Sequence, residues 1–464
     1  MTLLVVLAAL GFLMFVAYRG YSVILFAPVA ALGAVLFTHP LDVAPMFSSV
    51  FMEKMVGFLK LYFPVFLLGA LFGKVIELSG FSKAIVSAVI RFVGSGRAML
   101  SIVLVCAVLT YGGVSLFVVV FAVYPFAAEM FRQGSIPKRL VPGTIALGAF
   151  TFTMDSLPGT PQIQNIIPTT FFHTTSWAAP RLGSIGAVFI LAAGLAYLDW
   201  QRRRAARANE GYGTILSNEP EPVENGAQLA HPVVAIVPLL LVGVLNRLFT
   251  VVIPRRYGPS YSIDVHGASH PIVTAIPAVV AIWAVEAALV VGILSVVLLA
   301  GRRVIPRFAE GSRAAISGAL LASMNTASEY GFGAVIAALP GFSVIARALA
   351  RIPNPLVNEA ITVTSLAGVT GSASGGMGIA LGAMAETFMR NATHAGIPFE
   401  VLHRVAAMAS GGMDTLPHNG AVITLLAVTG LTHKDSYKDI FAITLIKTLT
   451  VFVVIGVYYA TGWV

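Results

Sequence analysis

Two short polar segments in the 464-residue chain carry the residue types best suited to chemistry. Residues 154–158 read Met-Asp-Ser-Leu-Pro and residues 413–417 read Met-Asp-Thr-Leu-Pro, and each segment interrupts an apolar stretch. An acid buried at such a position is able to carry a proton, or it caps the N-terminus of a helix. Asp155 and Asp414 are therefore candidates for carrying a proton, with helix capping as the structural alternative.

His418 follows the second segment directly. An imidazole titrates near physiological pH, so His418 is a third candidate for carrying a proton. The alternative is a neutral histidine that only donates and accepts hydrogen bonds.

Neither segment is compatible with a regular helix, because proline and glycine follow within a few residues. A broken helix leaves backbone N–H groups unpaired at the N-terminus of its second half, where they attract anions. One such break by itself favours a proline kink whose polar side chains satisfy the freed backbone groups, but two breaks in matching motifs favour a binding site. The candidate ligands for a small polar solute are Ser156, Gly159, Thr160, Gln162, Asn165, Thr415, His418 and Asn419.

A second pair of segments is rich in glycine, at residues 111–115 and 371–378. Glycine inside a helix costs about 1 kcal/mol relative to alanine, so both segments are predicted to be tips of re-entrant hairpins that bring backbone amides to a ligand. A phosphate-binding loop and close helix packing through small residues are the alternatives. The candidate site residues here are Gly113, Ser115, Ser372, Ser374, Gly375 and Gly376.

The composition determines which elements hold these segments. Hydrophobic residues make up 57% of the chain and charged residues 11%, and the mean hydropathy is +0.88. These values exclude a soluble domain and a disordered chain, and they predict an all-α polytopic membrane protein in a lipid bilayer.

The net charge of +9 comes from Lys and Arg in gaps between apolar stretches, which does not favour nucleic-acid binding. Cys106 is the only cysteine in the sequence, which excludes an internal disulfide framework.

Apolar stretches occur throughout the chain, and the first is predicted to be a membrane span and not a signal peptide. Between the two halves lies a polar stretch that begins with several arginines, so we predict a flexible cytoplasmic linker at residues 201–232. The linker separates a first membrane half, residues 1–200, from a second, residues 233–464. The predicted spans lie near 2–18, 21–38, 55–79, 98–131, 139–155, 183–200, 231–253, 271–301, 313–338, 356–371, 376–390, 401–412, 420–431 and 439–461.

The two halves contain the same short motifs in the same order. Their offsets range from 259 residues (154 to 413) to 263 residues (112 to 375). Placing the basic loops on the cytoplasmic side makes span 55–79 run inward and span 313–338 run outward. The sequence therefore predicts inverted repeats of about 55–200 and 313–464, an arrangement found in many secondary transporters. The paired motifs are 72–76 with 332–336, 78–82 with 339–343, 112–114 with 375–377, 136–137 with 397–398, and 154–158 with 413–417.

Neither break contains Lys or Arg, which suggests a site for one carboxylate plus hydroxyls, unless Arg390 or Arg404 folds in. Common motifs of hydrolases, zinc proteases and thiol oxidoreductases do not occur in the sequence, so an enzyme is not predicted. A channel is a remote alternative, because it usually has one conductive filter and not two paired breaks.

Residues 411–424 (Gly-Gly-Met-Asp-Thr-Leu-Pro-His-Asn-Gly-Ala-Val-Ile-Thr), 154–162 and 430–440 together resemble the gluconate:proton symporter (GntP) family of the Ion Transporter superfamily. The resemblance implies a proton-driven importer of small hydroxylated or amino carboxylates in the bacterial inner membrane, without a cofactor. It also implies a homodimer in which a transport domain moves against a scaffold by an elevator mechanism. Residues 417–420 (Pro-His-Asn-Gly) resemble the D-beta-hydroxybutyrate permeases more than the gluconate branch.

The sequence thus predicts proton-coupled uptake of a small hydroxy monocarboxylate such as 3-hydroxybutyrate. Symport of gluconate or another sugar acid, or of D-serine, is the alternative within the same family. Coupling to Na⁺ is the other alternative, because backbone carbonyls at helix breaks bind Na⁺ as readily as acids bind protons.

Overall fold

The computed structural model describes residues 2–19, 21–94, 97–214, 217–220, 230–264, 266, 270–349, 351–417 and 419–464. These residues form α-helices and one antiparallel hairpin of β1 (Ser260–Ile263) and β2 (Ile272–Ala275), which confirms the predicted all-α membrane fold. The helices of the first half are α1 (Thr2–Tyr18), α2 (Val23–Thr38), α3 (Val43–Met46), α4 (Met52–Ser79), α5 (Phe81–Val93), α6 (Ala98–Tyr111), α7 (Leu116–Gln133), α8 (Leu140–Ala149), α9 (Phe152–Asp155), α10 (Ile163–Phe172) and α11 (Pro180–Arg207). Those of the second half are α12 (Pro232–Tyr257), α13 (Ile276–Ala338), α14 (Pro340–Leu349), α15 (Pro355–Thr370), α16 (Ala373–His394), α17 (Phe399–Ser410), α18 (Gly420–Thr429) and α19 (His433–Thr461).

Helices long and apolar enough to cross a membrane recur along the described chain. Many of their large apolar side chains are exposed, such as Phe37, Val188 and Leu298, and such a surface suits lipid. Together with the shorter apolar helices they make the chain a multi-pass membrane protein, as its composition predicts. The five long stretches are Pro40–Ser79, Pro180–Arg207, Pro232–Tyr257, Ile276–Ala338 and His433–Thr461.

The long helix α13 consists of two arms that meet at a kink at Ala300, where φ is −136°. The second arm packs along α4, and glycines allow close contact. A Cβ at Gly311 would lie 2.7 Å from Leu78, and a Cβ at Gly331 would lie 2.9 Å from the carbonyl oxygen of Phe51. The second arm therefore runs antiparallel to α4, as the inverted orientation of these two motifs requires.

Each half contains a helical hairpin with a tight tip. Gly113, between α6 and α7, has φ +97°, and Gly371, between α15 and α16, has φ +67°, so both tips use backbone conformations that favour glycine. The second tip is shorter than predicted, because α16 already begins at Ala373. Ser372 caps this helix by accepting a hydrogen bond from the N–H of Gly375 at 3.1 Å.

The prediction that the whole glycine-rich stretch 371–378 is a loop is therefore wrong from residue 373 onward. Gly375 and Gly376 lie in the first turns of α16. A Cβ on Gly376 would collide with the backbone of Ala367 on α15, so packing through small residues accounts for this glycine.

Replacing Gly376 with alanine should destabilise the protein by about 1–3 kcal/mol, because two helix backbones would have to separate. Gly456→Ala on α19 is the matched control, since no atom lies within 4 Å of a Cβ built there. Thermal unfolding of the purified protein in detergent checks both variants. Equal melting temperatures for the two would contradict the packing role of Gly376.

The prediction of a flexible linker at residues 201–232 is wrong for much of its described part. Helix α11 extends to Arg207, and the following segment is held against the loop between α7 and α8. Glu219 forms ion pairs with Lys138 at 2.8 Å and with Arg132, and Glu210 pairs with Arg139 at 2.7 Å. Burial raises the pKa of Glu219, but Lys138, Tyr212 and Arg132 together lower it by more, so the pKa lies below its ordinary value and the carboxylate stays ionised. Residues 221–229 lie outside the described ranges.

Candidate functional site

A cavity of about 1220 Å³ lies where the hairpin tips meet the two breaks. Its wall combines α4, the start of α7, the first break, the second arm of α13, the tip between α15 and α16, and the second break. The structure thus brings together residues from both halves of the chain. The predicted site residues on the wall are Gly113, Ser115, Gln162, Ser372, Ser374, Asp414, Thr415 and Asn419.

The first break is fixed to the first hairpin tip. Gln162 Nε2 donates hydrogen bonds to the carbonyl oxygens of Thr110 at 2.7 Å and Val114 at 3.3 Å. In return, the hydroxyl of Tyr111 donates to the carbonyl oxygen of Pro158 at 2.9 Å. The polar side chains therefore hold the irregular backbone in place, which membrane depth requires.

The second break is fixed to the second tip in a similar way. Asn419 Nδ2 donates to the carbonyl oxygen of Gly371 at 2.8 Å. Its Oδ1 accepts from the N–H groups of Ala421 at 2.7 Å and Val422 at 2.9 Å, and so caps α18. The hydroxyl of Tyr437 donates to the carbonyl oxygen of Thr415 at 3.1 Å. Each half thus joins one broken helix to one hairpin tip.

A buried lysine on α19, Lys447, connects the two breaks. Its Nζ donates to Asp414 Oδ1 at 2.7 Å and to the carbonyl oxygen of Phe150, just before the first break, at 3.0 Å. A Cβ built at Gly411 would collide with Asp155 Oδ2 and lie 3.6 Å from Lys447 Nζ, so the ammonium group is within about 6 Å of the Asp155 carboxyl group. One ammonium group therefore lies beside two carboxyl groups, one from each break. Lys447 was not among the residues predicted from the sequence, although a lysine inside an apolar helix is the signal that marks such a group.

A buried arginine on α17, Arg404, is the second cation at the first break. Its Nη1 donates to the carbonyl oxygen of Asp155 at 2.8 Å and to Asn165 Oδ1 at 3.1 Å, and its Nη2 donates to the carbonyl oxygen of Ala178 at 2.7 Å. The first break therefore has a fixed cation from α17, which is the alternative named for Arg404 and not the expected site without cations. Arg390 is exposed and hydrogen-bonds only its neighbour Thr387 among the described residues.

Several predicted site residues lie behind the cavity wall and hold the first break together. Asn165 Nδ2 donates to the carbonyl oxygens of Thr160 at 3.0 Å and Ser176 at 2.8 Å. The hydroxyl of Ser156 donates to Asp155 Oδ1 at 2.7 Å. For this group the geometry matches the structural alternative, in which polar side chains satisfy freed backbone groups. The residues behind the wall are Asp155, Ser156, Gly159, Thr160, Asn165, Gly375 and Gly376, and His418 lies outside the described residues.

Comparison with known proteins agrees with this architecture. No protein-family model matches the chain. The fold is similar to that of the Alcanivorax borkumensis YdaH transporter, whose crystal structure shows an unusual topology, with a TM-score of 0.52 and 16% identity over 91% of this chain and 90% of that one. The sequence is 59% identical, over 473 residues and the full length of both chains, to the uncharacterized transporter YxjC of Bacillus subtilis (strain 168). The chain therefore belongs to the family of the transporter YxjC and is a membrane transporter, not an enzyme.

Proposed function

We propose that the protein is a secondary active transporter that imports a small hydroxy monocarboxylate, such as 3-hydroxybutyrate, together with protons across the bacterial inner membrane. The cavity that unites both breaks and both hairpin tips carries this proposal. Hydroxyl and amide groups on its wall, such as Ser115, Ser374 and Gln162, suit a carboxylate and a hydroxyl group. Apolar wall residues such as Val65 and Phe66 suit a short aliphatic chain.

The charges at the breaks support binding of a monoanion together with a proton. Asp155 and Asp414 contribute two acids, and Lys447 and Arg404 contribute two cations. With both acids ionised these four charges cancel, so a monoanion that enters together with one proton leaves the net charge of the site unchanged. Such balance matters because an uncompensated charge is costly at membrane depth.

The resemblance to the gluconate:proton symporters supports the remaining features. We propose that the hairpins and breaks form a transport domain that moves against a scaffold containing α4 and α13, in a homodimer. Proton coupling is assigned to acids of the site, with Asp155, Asp414 and His418 as the candidates from the breaks.

Uptake into proteoliposomes tests the function. Labelled (R)-3-hydroxybutyrate should accumulate under an imposed inward pH gradient without Na⁺, and accumulation should collapse when the gradient is dissipated. Excess unlabelled gluconate or D-serine should compete weakly. Accumulation only with labelled gluconate would move the substrate to the sugar acids, and a requirement for Na⁺ would contradict proton coupling.

A further inference from the structure

Glu329, on the second arm of α13, is an acid on the cavity wall that belongs to neither break. It lines the cavity and is 3% exposed. The other two carboxylates on the described wall are neutralised, Glu77 by Lys74 at 2.8 Å and Asp414 by Lys447 at 2.7 Å. Glu329 has no ion pair among the described residues, and its Oε2 makes no hydrogen bond there.

The position of this unpartnered oxygen is specific. Oε2 lies against the α-carbon of Gly375, in the first turn of α16, where any side chain would collide with it. The cap by Ser372 takes up the N–H of Gly375, and the remaining N–H groups of the first turn of this 22-residue helix, with its partial positive charge, attract an anion. Thr326, on the same arm of α13, contacts Ser374 through their hydroxyl oxygens at 3.2 Å. The Glu329 carboxyl group therefore occupies the place at the hairpin tip that a substrate carboxylate would be expected to take.

We propose that Glu329 is an internal competitor of the substrate, a role that rests on the proposed function and specifies its coupling. Ionised Glu329 occupies the first turn of α16. When a proton binds to its carboxylate, the neutral group gives up this place, and the substrate carboxylate replaces it. One proton and one monoanion enter together, so the charge of the site is the same before and after loading. Release of the substrate lets the carboxylate ionise and return.

No other described ionisable group lies at the hairpin tip. Glu359 on α15 is also buried with both carboxylate oxygens unpartnered, but it comes about three turns before Gly371. The other ionisable side chains on the cavity wall are Tyr21, Lys74, Glu77 and Asp414, and the three charged ones are paired as given above. Helix α10, which packs against α13, contains no charged residue or histidine. On α16 the ionisable residues Glu386, Arg390 and His394 come three or more turns after Gly375. Tyr330, the next residue on α13, packs against Phe58 and Gly378, and Tyr62 on α4 hydrogen-bonds Thr170.

Binding of (R)-3-hydroxybutyrate to purified protein, measured by calorimetry between about pH 6 and pH 8.5, tests the proposal. Wild-type affinity should fall by up to about tenfold per pH unit on the alkaline side, because one proton accompanies binding. Glu329→Gln should bind with an affinity independent of pH, roughly tenfold tighter than wild type at the highest pH. In proteoliposomes it should lose accumulation driven by a pH gradient while substrate exchange continues. Glu310→Gln, an exposed acid on the same helix, is the matched control and should behave as wild type.

A Glu329→Gln variant that keeps the wild-type pH dependence and still accumulates substrate would overturn the proposal. Should that variant fail to fold, Glu329→Asp decides, because a shorter acid withdraws from Gly375. It should bind more tightly than wild type at high pH, and unchanged affinity would overturn the proposal. Failure of the wild type itself to accumulate substrate under a pH gradient would overturn the proposed function and this inference with it, whatever the variants do.

Discussion

Replacing Lys447 with methionine is expected to abolish uptake of the substrate. The side chain is 2% exposed and pairs with Asp414 at 2.7 Å, close to Asp155. Methionine fills a similar volume but leaves the acids without their cation, and breaking a buried pair from one side costs about 3–5 kcal/mol. Uncompensated negative charge beside the cavity would also repel a substrate anion. A penalty of about 3 kcal/mol on binding corresponds to a loss of roughly 100-fold in the uptake rate at low substrate concentration.

Initial rates of uptake into proteoliposomes, normalised to folded protein, measure this effect. Lys438→Met is the matched control, because Lys438 lies on the same helix with an exposed side chain. The double variant Lys447→Met/Asp414→Asn removes both charges and should recover much of the thermal stability without recovering uptake. Near-normal uptake by the single variant would show that the ion pair is not part of the transport site.

Arg404→Met should lower the free energy of unfolding by about 3–5 kcal/mol, because it removes the donors of a buried network. Its guanidinium group donates in two directions, to the carbonyl oxygen of Asp155 at 2.8 Å and to that of Ala178 at 2.7 Å. Arg404→Lys should rescue only part of the loss, since one ammonium group does not reproduce the planar fork. Both variants should also reduce uptake, because the first break would lose the group that fixes its backbone.

Thermal unfolding in detergent, together with the monodisperse fraction after purification, measures the loss. Arg390→Met provides the control for removing a positive charge, since Arg390 is exposed on α16. A stable Arg404→Met protein with altered uptake would instead place Arg404 in substrate binding. Unchanged stability and unchanged uptake together would contradict both roles.

The sequence was sufficient to predict the helical membrane fold and the pairing of its motifs. An apolar chain inside a bilayer favours helices, because each helix pairs its own backbone N–H and C=O groups where no water is present. The breaks at residues 154–158 and 413–417 followed from local rules for proline, and the sharp tips at Gly113 and Gly371 followed from those for glycine. These features depend on a few neighbouring residues, so one sequence reveals them.

The exact extent of the second tip was not predictable from the glycine content. The intrinsic helix propensity of glycine disfavours a helix at Gly375 and Gly376 by about 1 kcal/mol per glycine relative to alanine. Packing of these residues against α15 and α13 outweighs that cost. The segment predicted as a flexible linker is ordered for a similar reason. Its acids are neutralised by Lys138, Arg132 and Arg139, which lie about 70 to 90 residues earlier in the chain.

The sequence by itself determined the class of this protein, its repeated halves and the places where its helices break. Only the tertiary structure decided which charges meet there. Lys447 is 33 residues from Asp414 in the chain and 297 from Phe150, and Arg404 is 249 from Asp155. Glu329 reaches Gly375 from a different helix. Whether a buried charge is paired depends on groups that only packing brings within about 3 Å, and no local pattern encodes that distance.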